Sequence, residues 1–387
     1  MEKPNIKPHY PYFSSGPCAK PPGWSLDKLK NATLSRSHRS KIAKDKLEEV
    51  INKSKNTLGI PKEYYVGIVP ASDTGAVEMA MWCMLGQRGV EVYSWENFGH
   101  DWAIDIGDQL PIENKIVQKA EYGCLPDFSK SNPENDIIFT WNGTTGGTRI
   151  KNTDWISDDR KGLVICDATS AVFSMKIDWE KLDVVTYSWQ KVLGSEAAHG
   201  MLILSPRAVE RLESYTPPWP IPKIFRLAKN QKFSKDIFSG ATINTPSMLC
   251  VEDVLNSLNW ADSVGGINEL IKISERNLEI VSNWIKKSET FEFLAKDPET
   301  VSCTSICIVP KDEWFVKLDD DTKAKFMKQV CSEIEKNEAG YDLNSYKTAP
   351  SGIRIWGGST VENENVEKVL PWIDWAYNFT KENYKNE

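Results

Sequence analysis

The sequence predicts an α/β fold built on a mainly parallel sheet. Short apolar runs recur through the first two thirds of the chain, separated by segments that could form helices or loops. Within the runs, apolar and polar residues do not alternate, which is typical of strands covered on both faces of a sheet. The six runs are "YYVGIVP", "GVEVYSW", "DIIFTWN", "GLVICDA", "DVVTYSW" and "HGMLILS".

The N-terminal part of the chain predicts an extended arm, a helix and the start of a βα repeat. After a proline-rich arm, apolar residues recur at roughly helical spacing up to Leu58, and Gly59 ends the run. The following segment reads as a strand, a polar turn and a helix too apolar for the surface. Ser72 and Asp73 in that turn are candidate helix caps.

The C-terminal part has a different pattern. From about residue 266, charged amphipathic helices surround a few short strands. The segments "INELIKISERNLEIVSNWIKK" and "DTKAKFMKQVCSEIEKN" predict helices, and "SICIVP" and "GIRIWGG" predict strands. We therefore expect two domains, residues 1–265 with the large sheet and residues 266–387 as a smaller α+β domain.

Composition and charge exclude several classes of protein. A net charge of −7 and a pI near 5.4 argue against a nucleic-acid partner, because such partners require basic surface. The chain begins without an apolar leader and lacks any run of about 18 uncharged apolar residues, so we expect a soluble cytoplasmic protein without a membrane partner. Its eight cysteines show no metal-binding spacing, and no metal site is expected.

Two charged residues lie where apolar strands end. Asp167 closes the run "GLVIC", and Lys191 follows "LDVVTYSW". The carboxyl ends of strands in open α/β sheets form ligand crevices, and an unpaired buried charge is costly. The two residues could form a structural ion pair, or Lys191 could reach solvent. Alternatively, Lys191 forms a Schiff base with pyridoxal phosphate (PLP) and Asp167 keeps the pyridine nitrogen protonated.

Residues after neighbouring strands favour the cofactor hypothesis. Ser72, Asp73 and Thr74 offer backbone N–H groups at a helix N-terminus, which suits a phosphate, although an ordinary helix cap has the same pattern. Phe98 follows a strand and could stack on a cofactor ring or belong to the core. Thr144 lies in the glycine turn "NGTTGG", which taken alone is a polar loop. Such elements at successive strand ends together favour a PLP site.

Nine short motifs follow one another along nearly the whole chain: "SSGPC", "SHRS", "SDTGA", "NFGHDW", "NGTTGG", "CDATS", "SWQKVLG", "NTPS" and "SGIRIW". In order and spacing they resemble the class V aminotransferases of fold type I, and within them the phosphoserine aminotransferase family. "SHR" together with "SWQK" favours that branch over the alanine:glyoxylate relatives. The resemblance implies a fold-type I PLP transferase, with a mainly parallel seven-stranded sheet in the large domain and a smaller α+β C-terminal domain.

The resemblance also implies roles for individual residues. Lys191 would be the Schiff-base lysine and Asp167 the partner of the pyridinium. Phe98 would stack on the ring and Thr144 would contact the ring oxygen. Both subunits of a homodimer would hold the cofactor phosphate, with Asp73, Thr74, Ser170 and Gln190 from one chain and Asn244 and Thr245 from its partner.

Substrate recognition requires positive charge, because phosphoserine carries both a phosphate and a carboxylate. "SRSHRS" brings Arg36, His38 and Arg39 together at the start of a helix, although such a group could also be a solvated helix start. The resemblance implies that Arg354 binds the α-carboxylate. The His-Arg pair usual in the family upstream of that arginine is absent, and Lys347 is our candidate for the missing phosphate contact.

The cofactor cradle departs from the common bacterial form of the family. That form has a glycine-rich turn with arginine where this chain has "SDTG", and tryptophan where it has Phe98. The phosphate cradle predicted here is therefore a variant.

The implied reaction is a ping-pong transamination in serine biosynthesis. L-Glutamate and 3-phosphohydroxypyruvate would give 2-oxoglutarate and O-phospho-L-serine, with Lys191 moving a proton as general acid and base. Whether 4-phosphohydroxythreonine of pyridoxine biosynthesis is also a substrate stays open. The alternatives are an aminotransferase for small unphosphorylated amino acids such as alanine or serine, a cysteine desulfurase, and a non-catalytic binding module of the same fold.

Overall fold

The structure is a computed structural model that describes residues 1–384. The end of the second predicted domain, residues 385–387, lies outside the described residues. Within residues 1–384, no helix is both long and apolar enough to cross a membrane. The α-helices are α1 (Lys41–Leu58), α2 (Ser72–Met84), α3 (Asn97–Ile104), α4 (Pro206–Ser214), α5 (Met248–Ser263), α6 (Ile267–Ile285), α7 (Glu313–Val316), α8 (Asp320–Lys336) and α9 (Asn363–Tyr384).

The strands are β1 (Tyr65–Pro70), β2 (Val90–Ser94), β3 (Lys115–Lys119), β4 (Asp136–Thr140), β5 (Asn142–Gly143), β6 (Thr148–Arg149), β7 (Val164–Asp167), β8 (Val184–Ser188), β9 (His199–Leu204), β10 (Ala228–Lys229), β11 (Lys232–Phe233), β12 (Phe291–Phe293), β13 (Ser305–Pro310) and β14 (Ile353–Trp356). Short 3-10 helices lie at Leu26–Leu29, Phe128–Lys130, Trp179–Lys181, Lys223–Phe225, Lys235–Ser239 and Pro298–Thr300, and a π-helical turn at Asp105–Gln109 follows α3.

The central sheet has seven strands in the order β1-β9-β8-β7-β4-β2-β3. Strands β8, β7, β4, β2 and β3 run parallel to one another, whereas β9 runs antiparallel to both of its neighbours, β1 and β8. All six predicted strands are present. The predicted α/β fold with a mainly parallel seven-stranded sheet is confirmed.

Both faces of the central sheet are covered. In β4, Ile138 packs into one hydrophobic cluster and Phe139 into the other, and in β7 the neighbouring Ile165 and Cys166 divide in the same way. Each strand therefore needs apolar side chains on both faces, which explains why these runs are continuously apolar. Helix α2 packs on β8 and β9 and is buried along most of its length.

The sequence patterns missed the edge strand β3, the three-residue strand β12 and the four two-residue strands β5, β6, β10 and β11. β3 pairs only with β2 at the edge of the sheet, and most of its residues are exposed, so its sequence "KIVQK" lacks a continuous apolar run. β12 has only three residues and completes an antiparallel sheet in the order β12-β13-β14. Helices α6, α8 and α9 pack beside this second sheet or on one another. The division of the chain at residues 265 and 266 stays a prediction.

Helix α2 begins without the predicted side-chain cap. Ser72 and Asp73 form its first turn, and Ala71 occupies the N-cap position. The backbone N–H groups of Ala71 and Ser72 instead donate to the Ala198 carbonyl, at 3.1 and 3.3 Å. All three residues have positive φ, a conformation that costs roughly 1–2 kcal/mol for each non-glycine residue. Backbone contacts to the β9 side of the sheet therefore replace the cap.

A buried ion pair joins α4 to the amino end of the sheet. Arg211 donates to both carboxylate oxygens of Asp136, at 2.8 and 2.9 Å, and Asp136 is fully buried at the start of β4. The same carboxylate accepts from the Leu163 N–H at 2.7 Å, and Arg211 also donates to the carbonyl of Met84, the last residue of α2. The pair thus fixes the sheet edge opposite the one where the predicted site residues gather.

Replacing Arg211 with Met should destabilise the fold strongly, because it leaves the charge of Asp136 buried without its partner. We expect the free energy of unfolding to fall by about 3–5 kcal/mol, measured by urea denaturation. Arg276→Met breaks an exposed pair with Glu279 and serves as the control, with an expected loss below about 1 kcal/mol. Equal losses in the two variants would contradict the role given to the buried pair.

Candidate active site

Six strands end at one edge of the central sheet, and a predicted cofactor residue follows or closes five of them. Because these strands run in the same direction, their carboxyl ends meet there. Asp167 is the last residue of β7, and Asp73, Phe98, Thr144 and Lys191 lie just after β1, β2, β4 and β8.

Lys191 presents a buried amine at this edge. Its side chain Nζ donates to the carbonyl of Ser15 at 2.7 Å and lies 5.8 Å from the centre of the Phe98 ring. Burial lowers the pKa of the Lys191 amine below its ordinary value, which favours the neutral, nucleophilic form. A Cβ atom at Gly16 would lie 2.9 Å from Nζ, so the glycine of the N-terminal arm leaves the amine its space.

Asp167 is buried nearby and bonds to neutral donors. Its Oδ2 accepts from the indole N–H of Trp102 and its Oδ1 from the backbone N–H of Thr169, both at 3.1 Å. Within residues 1–384 Asp167 and Lys191 do not form an ion pair, because the amine bonds to a carbonyl instead. The interpretation of the two as a structural ion pair is therefore wrong.

Trp102 is a site residue that the sequence analysis missed. It lies one helical turn after Phe98 in α3, and residues four apart share a helix face. That spacing in "NFGHDW" was the available signal. Phe98 and Trp102 thus reach the crevice from the same helix.

The N-terminus of α2 has the open donors that an anion requires. The backbone N–H groups of Asp73 and Thr74 have no hydrogen-bond partner within residues 1–384. The amide oxygen of Gln190 is buried without a partner, so this side chain is not committed to a protein contact. These groups fit the phosphate of PLP. Ser170, whose hydroxyl donates to the Asn142 carbonyl at 3.0 Å in this structure, stays a predicted phosphate contact.

A second residue missed by the sequence analysis, Glu96, positions both Phe98 and Thr144. Its Oε1 accepts from the Gly99 N–H at 2.8 Å and caps α3. Its Oε2 accepts from the hydroxyl of Thr145 at 2.7 Å, which fixes the loop that carries Thr144. Burial raises the pKa of the Glu96 carboxyl. Glutamate is not among the usual N-cap residues, so the sequence held no clear signal for this role.

Arg354 brings the second sheet to the crevice. Its guanidinium donates to the Thr144 carbonyl at 3.4 Å, and its Nε is buried without a partner within residues 1–384. The Tyr346 ring lies between the two sheets, with its centre 5.9 Å from the Arg354 guanidinium carbon and 5.9 Å from the Phe98 ring. An arginine with unused donors beside Lys191 suits a carboxylate ligand.

The remaining predicted site residues lie at the surface of the single chain. Hydrogen bonds within residues 1–384 do not connect them with Lys191 or Arg354. They are Arg36, His38 and Arg39 in the turn before α1, Asn244 and Thr245 in the loop before α5, and Lys347 in the loop before β14.

The fold and this edge of the sheet define a fold-type I aminotransferase. The crystal structure of a phosphoserine aminotransferase from Cytophaga hutchinsonii matches with a TM-score of 0.78 at 20% identity, covering 95% of this chain and 98% of that one. The PLP-bound phosphoserine aminotransferase from Trichomonas vaginalis matches with a TM-score of 0.73 at 17% identity, covering 94% and 99%. At these identities the likeness establishes the fold.

Curated relatives identify the family. This chain is 53% identical over 379 residues to the phosphoserine aminotransferase of Methanosarcina barkeri and 52% identical to that of Methanosarcina mazei, covering 98% of this chain and 100% of each relative. A scan against protein-family profiles finds no match. The chain belongs to the phosphoserine aminotransferase family, as its motifs predicted. Members of this family are PLP-dependent transferases, so the predicted enzyme class and cofactor are confirmed.

Trp102→Phe should weaken cofactor binding, because it keeps an aromatic ring but removes the N–H that orients Asp167. Hydrogen bonds to charged groups contribute about 1.5–3 kcal/mol, so we expect the dissociation constant of PLP to rise about 10- to 100-fold in a titration of the apoenzyme. Trp284→Phe removes a comparable donor to Asp374, 2.7 Å away in the C-terminal region, and should leave the constant unchanged. Equal effects of both variants would show that Trp102 acts through general stability.

Proposed function

We propose that this protein transfers the amino group between L-glutamate and 3-phosphohydroxypyruvate, giving 2-oxoglutarate and O-phospho-L-serine, with PLP held at the carboxyl edge of the sheet. The observation that carries the proposal is a buried lysine amine placed between an aromatic ring, a buried aspartate and an arginine with unused donors. The family membership supports the choice of substrate.

Each residue at the carboxyl edge of the sheet has a separate role in the reaction. Bound PLP supplies an electron sink for negative charge at the substrate Cα. The Lys191 amine, made less basic by burial, removes the Cα proton and returns it. The Asp167 carboxylate holds a proton at the ring nitrogen, and its bonds from Trp102 and Thr169 fix its orientation. Phe98 would hold the ring from one face, and Thr144 would hold the ring oxygen.

The two anionic groups of the substrate need separate cationic partners. Arg354 binds the α-carboxylate, because its buried Nε has no other partner within the described chain. The phosphate is bound by Lys347 and by the basic turn that carries Arg36, His38 and Arg39. With a net charge of −7, the protein must concentrate positive charge locally to hold such a substrate.

A second copy of the chain completes the site in this proposal. Asn244 and Thr245 are exposed in one chain, although polar residues of this type suit a cofactor phosphate. In a homodimer with shared active sites they reach the PLP phosphate of the partner subunit, next to the open N–H groups of α2. This arrangement accounts for polar residues that have no role within a single chain.

The substrate can be tested by the visible spectrum of the purified protein. L-Phosphoserine should abolish the absorption band of the bound cofactor as the amino group is transferred, whereas L-alanine at the same concentration should not. If alanine is equally effective, the protein acts on small unphosphorylated amino acids. A colourless protein that cannot be reconstituted with PLP would overturn the proposal.

Lys191→Ala should lower kcat about a thousandfold or more, because it removes both the covalent anchor of the cofactor and the proton carrier. The measurement is the formation of O-phospho-L-serine at saturating PLP. Lys176→Ala removes an exposed lysine nearby in sequence and should retain the activity of the unmodified enzyme. Retention of activity in Lys191→Ala would exclude the mechanism.

Arg39→Gln should reduce kcat/KM for phosphoserine about 10- to 100-fold, since bonds to a charged group contribute about 1.5–3 kcal/mol. The half-reaction with glutamate, which carries no phosphate, should change less. Arg276→Gln, an exposed arginine of α6, is the matched control. An equal loss for both substrates would remove Arg39 from phosphate recognition.

A further inference from the structure

The side chain of Asp73 does not point to an anion site. Asp73 is the second residue of α2 and only 6% exposed, and its carboxyl lies in hydrogen-bonding contact with the carboxyl of Asp167. Its Oδ1 is buried and accepts no hydrogen bond from any residue in the range 1–384. Two carboxyl oxygens can form a hydrogen bond only when one of the groups keeps a proton.

The surroundings decide which group keeps the proton. Asp167 accepts bonds from Trp102 and Thr169, donors that favour its charged form. The ionisable groups around Asp73 are Asp167 and Cys166 of β7 and Lys191 after β8. The Lys191 amine already bonds to a carbonyl and cannot neutralise Asp73 by direct pairing.

Burial and the negative charge of Asp167 both raise the pKa of Asp73 well above its ordinary value. The N-terminus of a helix favours an ionised carboxylate, but that effect is small beside burial next to a second carboxylate. The helix dipole, the charge on Lys191 and the Thr186 hydroxyl act in the opposite direction, but burial beside Asp167 outweighs them and leaves the proton on Asp73.

We propose that Asp73 is a positioning residue that stays protonated in the working enzyme and donates its carboxyl O–H to Asp167. This inference rests on the proposed function, because it gives Asp167 its orientation toward the ring nitrogen of PLP. Asp167 then has three fixed donors from three elements, namely α3, the turn after β7 and α2. No cation is needed to hold its charge in place.

The neutral state of Asp73 also removes an electrostatic conflict. An ionised carboxylate in the first turn of α2 would repel the cofactor phosphate that the free N–H groups of Asp73 and Thr74 are placed to bind. With its proton directed at Asp167, Asp73 contributes only its backbone N–H to the phosphate. The variant turn "SDTG" thus serves both the cofactor phosphate, through its backbone N–H groups, and Asp167, through the side chain of Asp73.

Infrared difference spectroscopy tests the proton directly. The holoenzyme at neutral pH should show a carbonyl stretching band of a protonated carboxylic acid that disappears in Asp73→Asn. Asp108→Asn, which changes an exposed carboxylate, should keep the band. If Asp73→Asn leaves the protonated-acid region unchanged, Asp73 is ionised and the proposal is overturned. This readout needs no catalysis.

Cofactor affinity tests the positioning. Asn can donate to Asp167 as the neutral acid does, so Asp73→Asn should bind PLP within about threefold of the unmodified protein, whereas Asp73→Ala should bind it at least about tenfold more weakly. Equal loss in both variants would overturn the proposal. If Asp73→Ala fails to fold, the PLP affinity of Asp73→Asn relative to that of the unmodified protein still tests the positioning role. Failure of the unmodified protein to bind PLP would instead overturn the proposed function.

Discussion

The burial of one negative charge at the carboxyl end of β7 is the constraint on which the site depends. A buried charge must have compensating donors, and Asp167 obtains them from an indole and a backbone N–H rather than from a cation. An ion pair with Lys191 would have committed both residues to each other. Because they bond to different neutral groups, the carboxylate and the amine both stay available to a ligand between them.

The rest of the crevice keeps this arrangement rigid. Glu96 accepts hydrogen bonds from Gly99 at the start of α3 and from Thr145 in the loop after β4, so it links the segments that carry Phe98 and Thr144. Arg354 bonds to the same loop from the second sheet, and Tyr346 fills the space between that arginine and Phe98. Side chains from both sheets therefore meet around a single amine.

The sequence predicted those parts of the molecule that depend on burial. Strands covered on both faces must be apolar throughout, so their runs are visible, and a lysine or aspartate at the end of such a run stands out. The sequence did not predict β3, because most residues of this edge strand are exposed and do not need to be apolar. Trp102 and Glu96 were not predicted because their roles depend on the groups that lie opposite them in space, which a local pattern does not show.

One prediction failed for a reason of local geometry. The cap expected from Ser72 and Asp73 presumed an ordinary entry into α2, but the chain enters through left-handed residues held by a backbone carbonyl. Ser170 stays a predicted phosphate contact, and in this structure its hydroxyl donates to the Asn142 carbonyl. For the cap the residue types were suitable, but the direction of the backbone, which a pattern does not reveal, decided the outcome.

The reversed direction of β9 ties Lys191 and the N-terminus of α2 to the same connection. Because β9 returns beside β8 after a short connection, Lys191 lies on a segment anchored to the sheet at both ends. The same connection contributes the Ala198 carbonyl that holds the turn before α2, and Gly200 lets β9 approach that turn closely. The connection between β8 and β9 therefore holds both the amine and the helix N-terminus, and a ligand that binds both groups must span the distance that this connection sets.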